Sequence, residues 1–184
     1  MGRDGVIPLW FGEPDVPTPR FIKDAATRAM AEDHVFYAQN PGVPALRETL
    51  SDYMTGLYAK AIDIDRITIT SSGMNAIMLV SELLIDAGDN MIVVGPVWPN
   101  CRETVHVMGG AVHDVLLKPD ETGRWRLDLD ELMAACDDRT RGVFVNSPGN
   151  PTGWVMQTDE QRALMAFCRE RGIYIVADEV YGRL

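Results

Sequence analysis

The chain has 184 residues, of which 46% are hydrophobic, with a formal net charge of -10 and an isoelectric point near 4.7. This composition predicts a globular protein with one sizeable core, and it argues against a nucleic-acid partner, which would require a basic surface. No segment has the apolar pattern of a membrane span or a signal peptide, so we expect a cytoplasmic protein without a membrane partner. The three cysteines are far apart and, like the three histidines, show no metal-ligand spacing, which predicts reduced thiols and no metal site.

The elements predicted in chain order change character near residue 66. The first 18 residues are rich in glycine and proline and predict an extended arm, and two helices follow, over 20–33 and from Pro44 onward. Beyond them, apolar strands are predicted at 66–70, 91–95, 111–117, 141–146 and 173–178, with helices at 74–85, 100–110, 127–136 (capped by Asp128) and from a cap at Thr158 to Gly172. This alternation predicts an α/β fold, a mostly parallel sheet with flanking helices.

Four loops of this predicted sheet carry the unusual motifs of the chain. In open parallel sheets, ligands bind beyond the carboxyl ends of the strands. The loops at 71–74, 95–99, 146–153 and 178–182 should therefore face one crevice.

The first two loops offer a phosphate site and an aromatic platform. In "TSSGMNA" (70–76), two serines and a glycine open a helix, which is typical either of phosphate binding at a helix N-terminus or of a simple N-cap. In "GPVWPN" (95–100), Trp98 stands between two prolines and either stacks on a flat ligand or closes the top of the core.

The last two loops concentrate asparagines and an acid. "NSPGNPTG" (146–153) is longer than a turn requires, and Asn150 before Pro151 has a backbone direction restricted by the proline, which favours an amide that donates into the crevice. Asp178 ends an apolar strand, where it either caps the next turn or pairs with a cation, and Tyr181 follows within reach.

Together these motifs resemble the fold-type-I pyridoxal-phosphate enzymes, specifically the class I/II aminotransferases of the aspartate aminotransferase superfamily. The resemblance runs from "LWFGEPDVPTP" (9–19) to "ADEVYG" (177–182), and the combination of "NSPGNPTG" with "ADEVY" at this spacing is highly specific. It implies residues 1–42 as an N-terminal arm and small-domain segment, and 43–184 as an incomplete cofactor-binding large domain.

The resemblance also implies roles around pyridoxal 5'-phosphate. Ser72, Gly73 and Met74 would bind the cofactor phosphate, largely through backbone amides. Trp98 would stack on the pyridine ring.

The remaining implied contacts concern the ring substituents and the substrate. Asn150 and Tyr181 would hydrogen-bond the phenolic oxygen, and Asp178 would pair with the protonated ring nitrogen. Gly12 would lie against the substrate α-carboxylate, and Tyr37 would reach the cofactor phosphate of a partner subunit, which implies a homodimer. The substrates implied are an amino acid and a 2-oxo acid.

The family's chemistry also requires a Schiff-base lysine. The chain has only Lys23, Lys60 and Lys118, and none lies where the resemblance places that lysine, which is downstream of Tyr181. We therefore expect this to be the N-terminal portion of an aminotransferase, truncated and inactive in transamination alone.

Three other functions compete with the aminotransferase. A carbon–sulfur lyase could use the same cofactor residues, and a non-catalytic module could bind the cofactor or a partner chain. A nicotinamide dehydrogenase would carry Gly-x-Gly-x-x-Gly after its first strand, and this sequence has none.

Overall fold

The computed structural model describes residues 5–7, 12 and 16–183 of the chain. These residues divide into two compact units, one up to Thr68 and the other from Ile69 onward. The extended arm predicted over the first 18 residues falls mainly outside the described residues. The predicted division between residues 42 and 43 stays a prediction.

The first unit contains two helices and a short 3₁₀ helix. Helix α1 is Arg20–Ala31, α2 is Pro44–Tyr58, and the 3₁₀ helix is Ile64–Arg66. Pro44 stands at the start of α2, where its missing N–H has no helical acceptor to lose. Both predicted helices are confirmed, although α1 ends two residues before Asp33, which adopts a left-handed conformation with φ 59°.

The strand predicted at 66–70 is wrong. Residues 67–70 form no strand, and Arg66 belongs to the 3₁₀ helix. The side chain of Arg47, which is buried, donates to the carbonyls of Ile64 at 2.7 Å and Ile67 at 2.8 Å. These carbonyls are thus satisfied by a side chain from α2 and not by a neighbouring strand.

The second unit is built on a parallel sheet. Its strands are β1 Asn90–Gly95, β2 Ala111–Leu116, β3 Lys118–Pro119, β4 Trp125–Arg126, β5 Thr140–Asn146 and β6 Tyr174–Asp178, and its helices are α3 Gly73–Leu84, α4 Asn100–Val107, α5 Leu129–Ala135 and α6 Thr158–Arg171. Four strands form one sheet in the order β2-β1-β5-β6, with every neighbouring pair parallel. The predicted α/β fold is confirmed.

The sheet is covered on both faces, which explains its continuous apolar strands. Along β1, Ile92 and Val94 belong to the core cluster that includes Leu132 of α5 and Leu164 of α6. Met91 and Val93 point to the opposite face and pack with Cys101 and Val105 of α4. Successive residues of a strand face opposite sides, so one strand contributes to both cores.

The strand order creates a crevice between β1 and β5. The chain leaves β1 through α4 to reach β2 on one side, and it returns through α5 to β5 on the other side of β1. Such a change of direction is where open α/β sheets bind ligands. The loops that follow β1 and β5 therefore begin at the position where ligands preferentially bind in open α/β sheets.

Three helix-terminating residues were predicted in this unit, and two of them are confirmed. Asp128 caps α5 by accepting the Glu131 N–H at 3.0 Å, and α6 ends on Gly172 at φ 68°. The cap of α6 is Gln157 and not Thr158, because the Glu160 carboxylate accepts the Gln157 N–H at 2.7 Å and completes a capping box from there. Among the described residues, no helix combines the length and the apolar character of a membrane span.

Candidate active site

The first backbone N–H groups of α3 have no acceptor among the described residues. Ser72 caps this helix by accepting the Asn75 N–H on its hydroxyl at 3.1 Å, so the N-cap predicted as one alternative is confirmed. The N–H groups of Gly73 and Met74 are in the first turn, where a helix offers no acceptor of its own. A side chain at Gly73 would meet no atom within 4 Å, so space is open beside these donors.

A chain of hydrogen bonds joins the loops after β1, β5 and β6. The Trp98 N–H donates to the Asn150 carbonyl at 3.1 Å, and the Asn150 N–H donates to Asn146 Oδ1 at 2.8 Å. Asn146 Nδ2 in turn donates to the Asp178 carbonyl at 3.1 Å. Three residues predicted to contact one ligand are therefore held together through a fourth, Asn146.

Asn146 was not among the predicted site residues. It ends an apolar strand and is only 5% exposed, like a core residue. A polar residue at the end of the run "RGVFVN" was the available signal, and it is the same signal that identified Asp178 at the end of "IYIVAD".

The two predicted donors from separate loops meet directly. Asn150 Nδ2 lies 3.3 Å from Tyr181 Oη, although the residues are 31 positions apart. Both side chains are half-buried. The amide and the phenol thus form one polar pair at the carboxyl edge of the sheet.

Asp178 is half-buried at the end of β6. Its Oδ1 accepts the Val180 N–H at 3.1 Å, which confirms the capping alternative, and among the described residues it forms no ion pair. A carboxylate has acceptor sites on both oxygens, so Oδ2 can take a further donor.

A cleft of about 450 Å³ brings the helix terminus and the acid together. Its walls include Gly73, Met74 and Asp178, with apolar residues such as Val80 and Phe144 behind them. Gly73 and Met74, near the start of the second unit, therefore line the same cleft as Asp178, near its end.

Trp98 is 46% exposed, so it does not close the top of the core. Its carbonyl lies 3.6 Å from the Cys101 thiol, and burial raises the pKa of that thiol to about 11. Cys101 is accordingly a protonated core residue at neutral pH, while the indole of Trp98 remains available to a ligand.

Trp154, which directly follows the asparagine-rich loop, packs underneath it. Its side chain is 7% exposed and contacts the core cluster of Met156 and Leu164. It also borders a second cleft of about 520 Å³, between the β3–β4 hairpin and the start of α6, where Arg124 and Arg126 lie.

The remaining predicted residues stand in the first unit. Tyr37 is fully exposed, and among the described residues no atom lies within 4 Å of a Cβ placed on Gly12. Their roles toward substrate and partner subunit stay predictions.

The one lysine of the second unit is engaged elsewhere. Lys118 of β3 forms an ion pair with Glu131 of α5, and this hydrogen bond raises the pKa of Lys118 above its ordinary value. A nucleophilic lysine needs the opposite shift, toward the neutral amine. Within the described part of the chain, no group of three metal-ligating side chains occurs.

Relatives of known structure share this architecture. An aspartate aminotransferase from Thermotoga maritima superposes with a TM-score of 0.88 at 32% identity, covering 95% of this chain and 46% of that one. Escherichia coli YbdL, a protein with a methionine aminotransferase function, gives a TM-score of 0.87 at 30% identity, covering 92% and 44%.

Curated relatives point the same way. The aspartate/prephenate aminotransferase of Thermus thermophilus is 35% identical over 186 residues, which cover 100% of this chain and 48% of that protein. The aspartate aminotransferase of Geobacillus stearothermophilus is 34% identical over 183 residues, with 46% of its length covered. The chain thus spans about half the length of these relatives.

The architecture that this chain shares with these relatives is that of the fold-type-I enzymes. The family described as aminotransferase class I and II matches residues 4–184, and the chain belongs to that family.

Proposed function

We propose that this chain binds pyridoxal 5'-phosphate at the carboxyl edge of its sheet. In a protein of the relatives' full length, it would serve the transfer of an amino group between an amino acid and a 2-oxo acid. The observation that carries the proposal is the meeting of Asn150 Nδ2 and Tyr181 Oη at 3.3 Å, beside the acid that lines the cleft.

The chemistry of the donor set fits the cofactor. A phosphate fits the free N–H groups and the open space at Gly73 and Met74, since a helix N-terminus favours negative charge. A planar ring fits the exposed face of Trp98. These groups come from the helix α3 and from the loop after β1, so a ligand that carries both a phosphate and a ring would contact both.

Two further contacts would control the electronics of the ring. Asn150 and Tyr181 would donate to the phenolic oxygen and hold its negative charge. Asp178 would keep the proton on the ring nitrogen, because an anion beside a cation stabilises the protonated form. When bound, the cofactor supplies an electron sink for the pair left at the substrate α-carbon.

Transamination by the 184-residue chain alone is not expected. Lys118 is paired with Glu131 and has a raised pKa, so it is a poor nucleophile. The neighbours are named for aspartate and for methionine, so the proposal stays with amino acids and 2-oxo acids as classes.

A homodimer is part of the proposal. Val35, Phe36 and Tyr37 are consecutive and largely exposed, which is typical of a surface that a partner covers. Tyr37 would then reach the partner's cofactor, and Gly12 would lie against the substrate carboxylate. The three cysteines of the described chain are all unpaired, which supports the proposed cytoplasmic location.

Binding is best tested with pyridoxamine 5'-phosphate, the amino form of the cofactor, which cannot condense with exposed lysines. Calorimetric titration of the chain should show one saturable site, with affinity reduced about tenfold or more in Asp178→Ala. Equal affinity in Asp178→Ala and the parent chain would contradict the proposed site.

A separate assay tests the inactivity of the chain. Pyridoxal phosphate, an amino acid and a 2-oxo acid are incubated with it, and no new amino acid should form. Turnover that borohydride treatment abolishes would show that one of the three lysines performs the chemistry after all.

A further inference from the structure

We propose that Asn146 is a positioning residue, whose single amide holds Asn150 and Asp178 in the arrangement that binds the cofactor. The inference rests on the proposed function, and it goes beyond it because Asn146 itself would touch neither cofactor nor substrate. It acts only through the two residues that it joins.

Both ends of the Asn146 amide are used. Its Oδ1 accepts the Asn150 N–H at 2.8 Å, and its Nδ2 donates to the Asp178 carbonyl at 3.1 Å. Exchanging the oxygen and the nitrogen would place a donor against a donor and an acceptor against an acceptor. Only a side chain with one acceptor and one donor of this length satisfies both neighbours.

The hydrogen bonds between β5 and β6 hold Asp178, but they do not hold Asn150. The Asp178 carbonyl also accepts the Ser147 N–H at 3.1 Å, so the end of β6 stays attached to β5 without Asn146. Asn150 lies four residues further along the loop, and among the described residues its N–H has only the Asn146 side chain as acceptor. Losing the amide should therefore loosen the loop more than the sheet.

The effect of the link extends to Trp98. The Asn150 carbonyl accepts the Trp98 N–H, so a displacement of Asn150 also moves the backbone of Trp98, which carries the indole ring. The amide of Asn150 also meets Tyr181. One buried asparagine thus sets the positions of groups that arise from three different strands.

The sheet provides a matched control at its opposite edge. Asn90, the first residue of β1, is 4% exposed, against 5% for Asn146. Its Nδ2 donates to Asp137 Oδ1 at 2.8 Å, and its Oδ1 accepts the Thr140 hydroxyl at 2.8 Å. Replacing either asparagine by leucine removes two hydrogen bonds of a buried side chain, but only Asn146 is at the candidate site.

The experiment compares Asn146→Leu with Asn90→Leu in the 184-residue chain. For each variant, three quantities are measured: the melting temperature, the affinity for pyridoxamine 5'-phosphate, and the hydrogen-exchange rate of the Asn150 amide. We expect Asn146→Leu to weaken binding about tenfold or more and to accelerate Asn150 exchange by a similar factor. Asn90→Leu should change both by less than about twofold while lowering the melting temperature at least as much.

A second variant keeps the inference testable if Asn146→Leu does not fold. Asn146→Asp retains an acceptor for the Asn150 N–H and loses the donor to the Asp178 carbonyl. Its Asn150 amide should stay protected to within about threefold of the parent chain, and loss of that protection would overturn the positioning role.

The outcomes separate this inference from the proposed function. Absence of ligand binding by the parent chain would overturn the proposed function, and Asn150 exchange would still decide whether Asn146 holds the loop. Unchanged Asn150 exchange in Asn146→Leu, or equal loss of affinity in Asn146→Leu and Asn90→Leu, would overturn the positioning role.

Discussion

The two edges of the four-stranded sheet both carry polar side chains, but they use them differently. At the amino edge, Asn90, Asp137 and Thr140 bind one another, and the Thr140 hydroxyl also accepts the Asp137 N–H at 2.9 Å. At the carboxyl edge, hydrogen bonds arrange the loops while Asp178 and the first turn of α3 still face a cleft.

This difference separates polar groups that stabilise from polar groups that bind. A closed network satisfies its own donors and acceptors, so its removal should cost folding free energy. An edge that keeps donors and an acid directed at open space has capacity left for a ligand. The amino edge should therefore control stability and the carboxyl edge should control cofactor affinity.

The largest expected effect is on stability at the amino edge. Asn90→Leu removes the hydrogen bond to the Asp137 carboxylate and the buried one from the Thr140 hydroxyl, which keeps only the longer contact to Asp137 Oδ1 at 3.3 Å. It should therefore lower the free energy of unfolding by about 2–4 kcal/mol. Urea denaturation followed by circular dichroism measures this. A loss below about 1 kcal/mol would mean that the network contributes little to stability.

Close packing beside the amino edge gives the next effect. A methyl group at Gly110 would overlap Ile85 Cγ2 and lie 3.1 Å from Val105 Cγ1, so Gly110→Ala should destabilise the protein by about 1–3 kcal/mol. Gly56→Ala in α2, where no atom lies within 4 Å, is the control and should instead stabilise by about 0.5–1 kcal/mol. Equal effects of the two changes in urea denaturation would contradict the packing.

At the carboxyl edge, affinity should change with little change in stability. Tyr181→Phe removes one donor to the ligand and should weaken pyridoxamine 5'-phosphate binding by about five- to tenfold, with the free energy of unfolding altered by less than about 0.5 kcal/mol. Tyr174→Phe, at an exposed position of β6, should leave the affinity unchanged. Calorimetry on both variants provides the test, and equal affinities would remove Tyr181 from the site.

Acid should weaken the amino edge. The Arg141 hydrogen bond lowers the pKa of Asp89, and the Asn90 hydrogen bond lowers the pKa of Asp137. Since both pKa values are lower folded than unfolded, their stabilisation is present above about pH 4 and is lost as the pH falls below it.

The same titration distinguishes the contribution of Asn90. Unfolding free energies measured from about pH 6 to pH 2 should fall less steeply in Asn90→Leu, because the main cause of the Asp137 shift has been removed. Identical pH dependence in the variant and the parent chain would contradict this coupling.

Much of the fold could be predicted from apolar periodicity and glycine or proline punctuation. The four strands of the parallel sheet were predicted to within one residue at each end, whereas the short β3–β4 hairpin was not predicted. Because parallel strands end at the same edge, sequence order was enough to bring the loops after β1, β5 and β6 together. Met74 follows no strand and reaches the cleft of Asp178 through the start of α3.

What the sequence could not predict depended on contacts between distant residues. Residues 66–70 have strand-like composition, but Arg47 takes the carbonyls of Ile64 and Ile67. The role of Asn146 was hidden for the same reason, since its two partners follow from the pairing of β5 with β6 and from the path of a loop.

Amide chemical-shift mapping can locate the cofactor at the carboxyl edge residue by residue. The 184-residue chain is titrated with pyridoxamine 5'-phosphate while its backbone amides are observed. We expect saturable shifts concentrated at Gly73, Met74, Asn150 and Val180. Shifts confined to the cleft beside Arg124 and Arg126, or no saturable shifts at all, would contradict binding at the carboxyl edge.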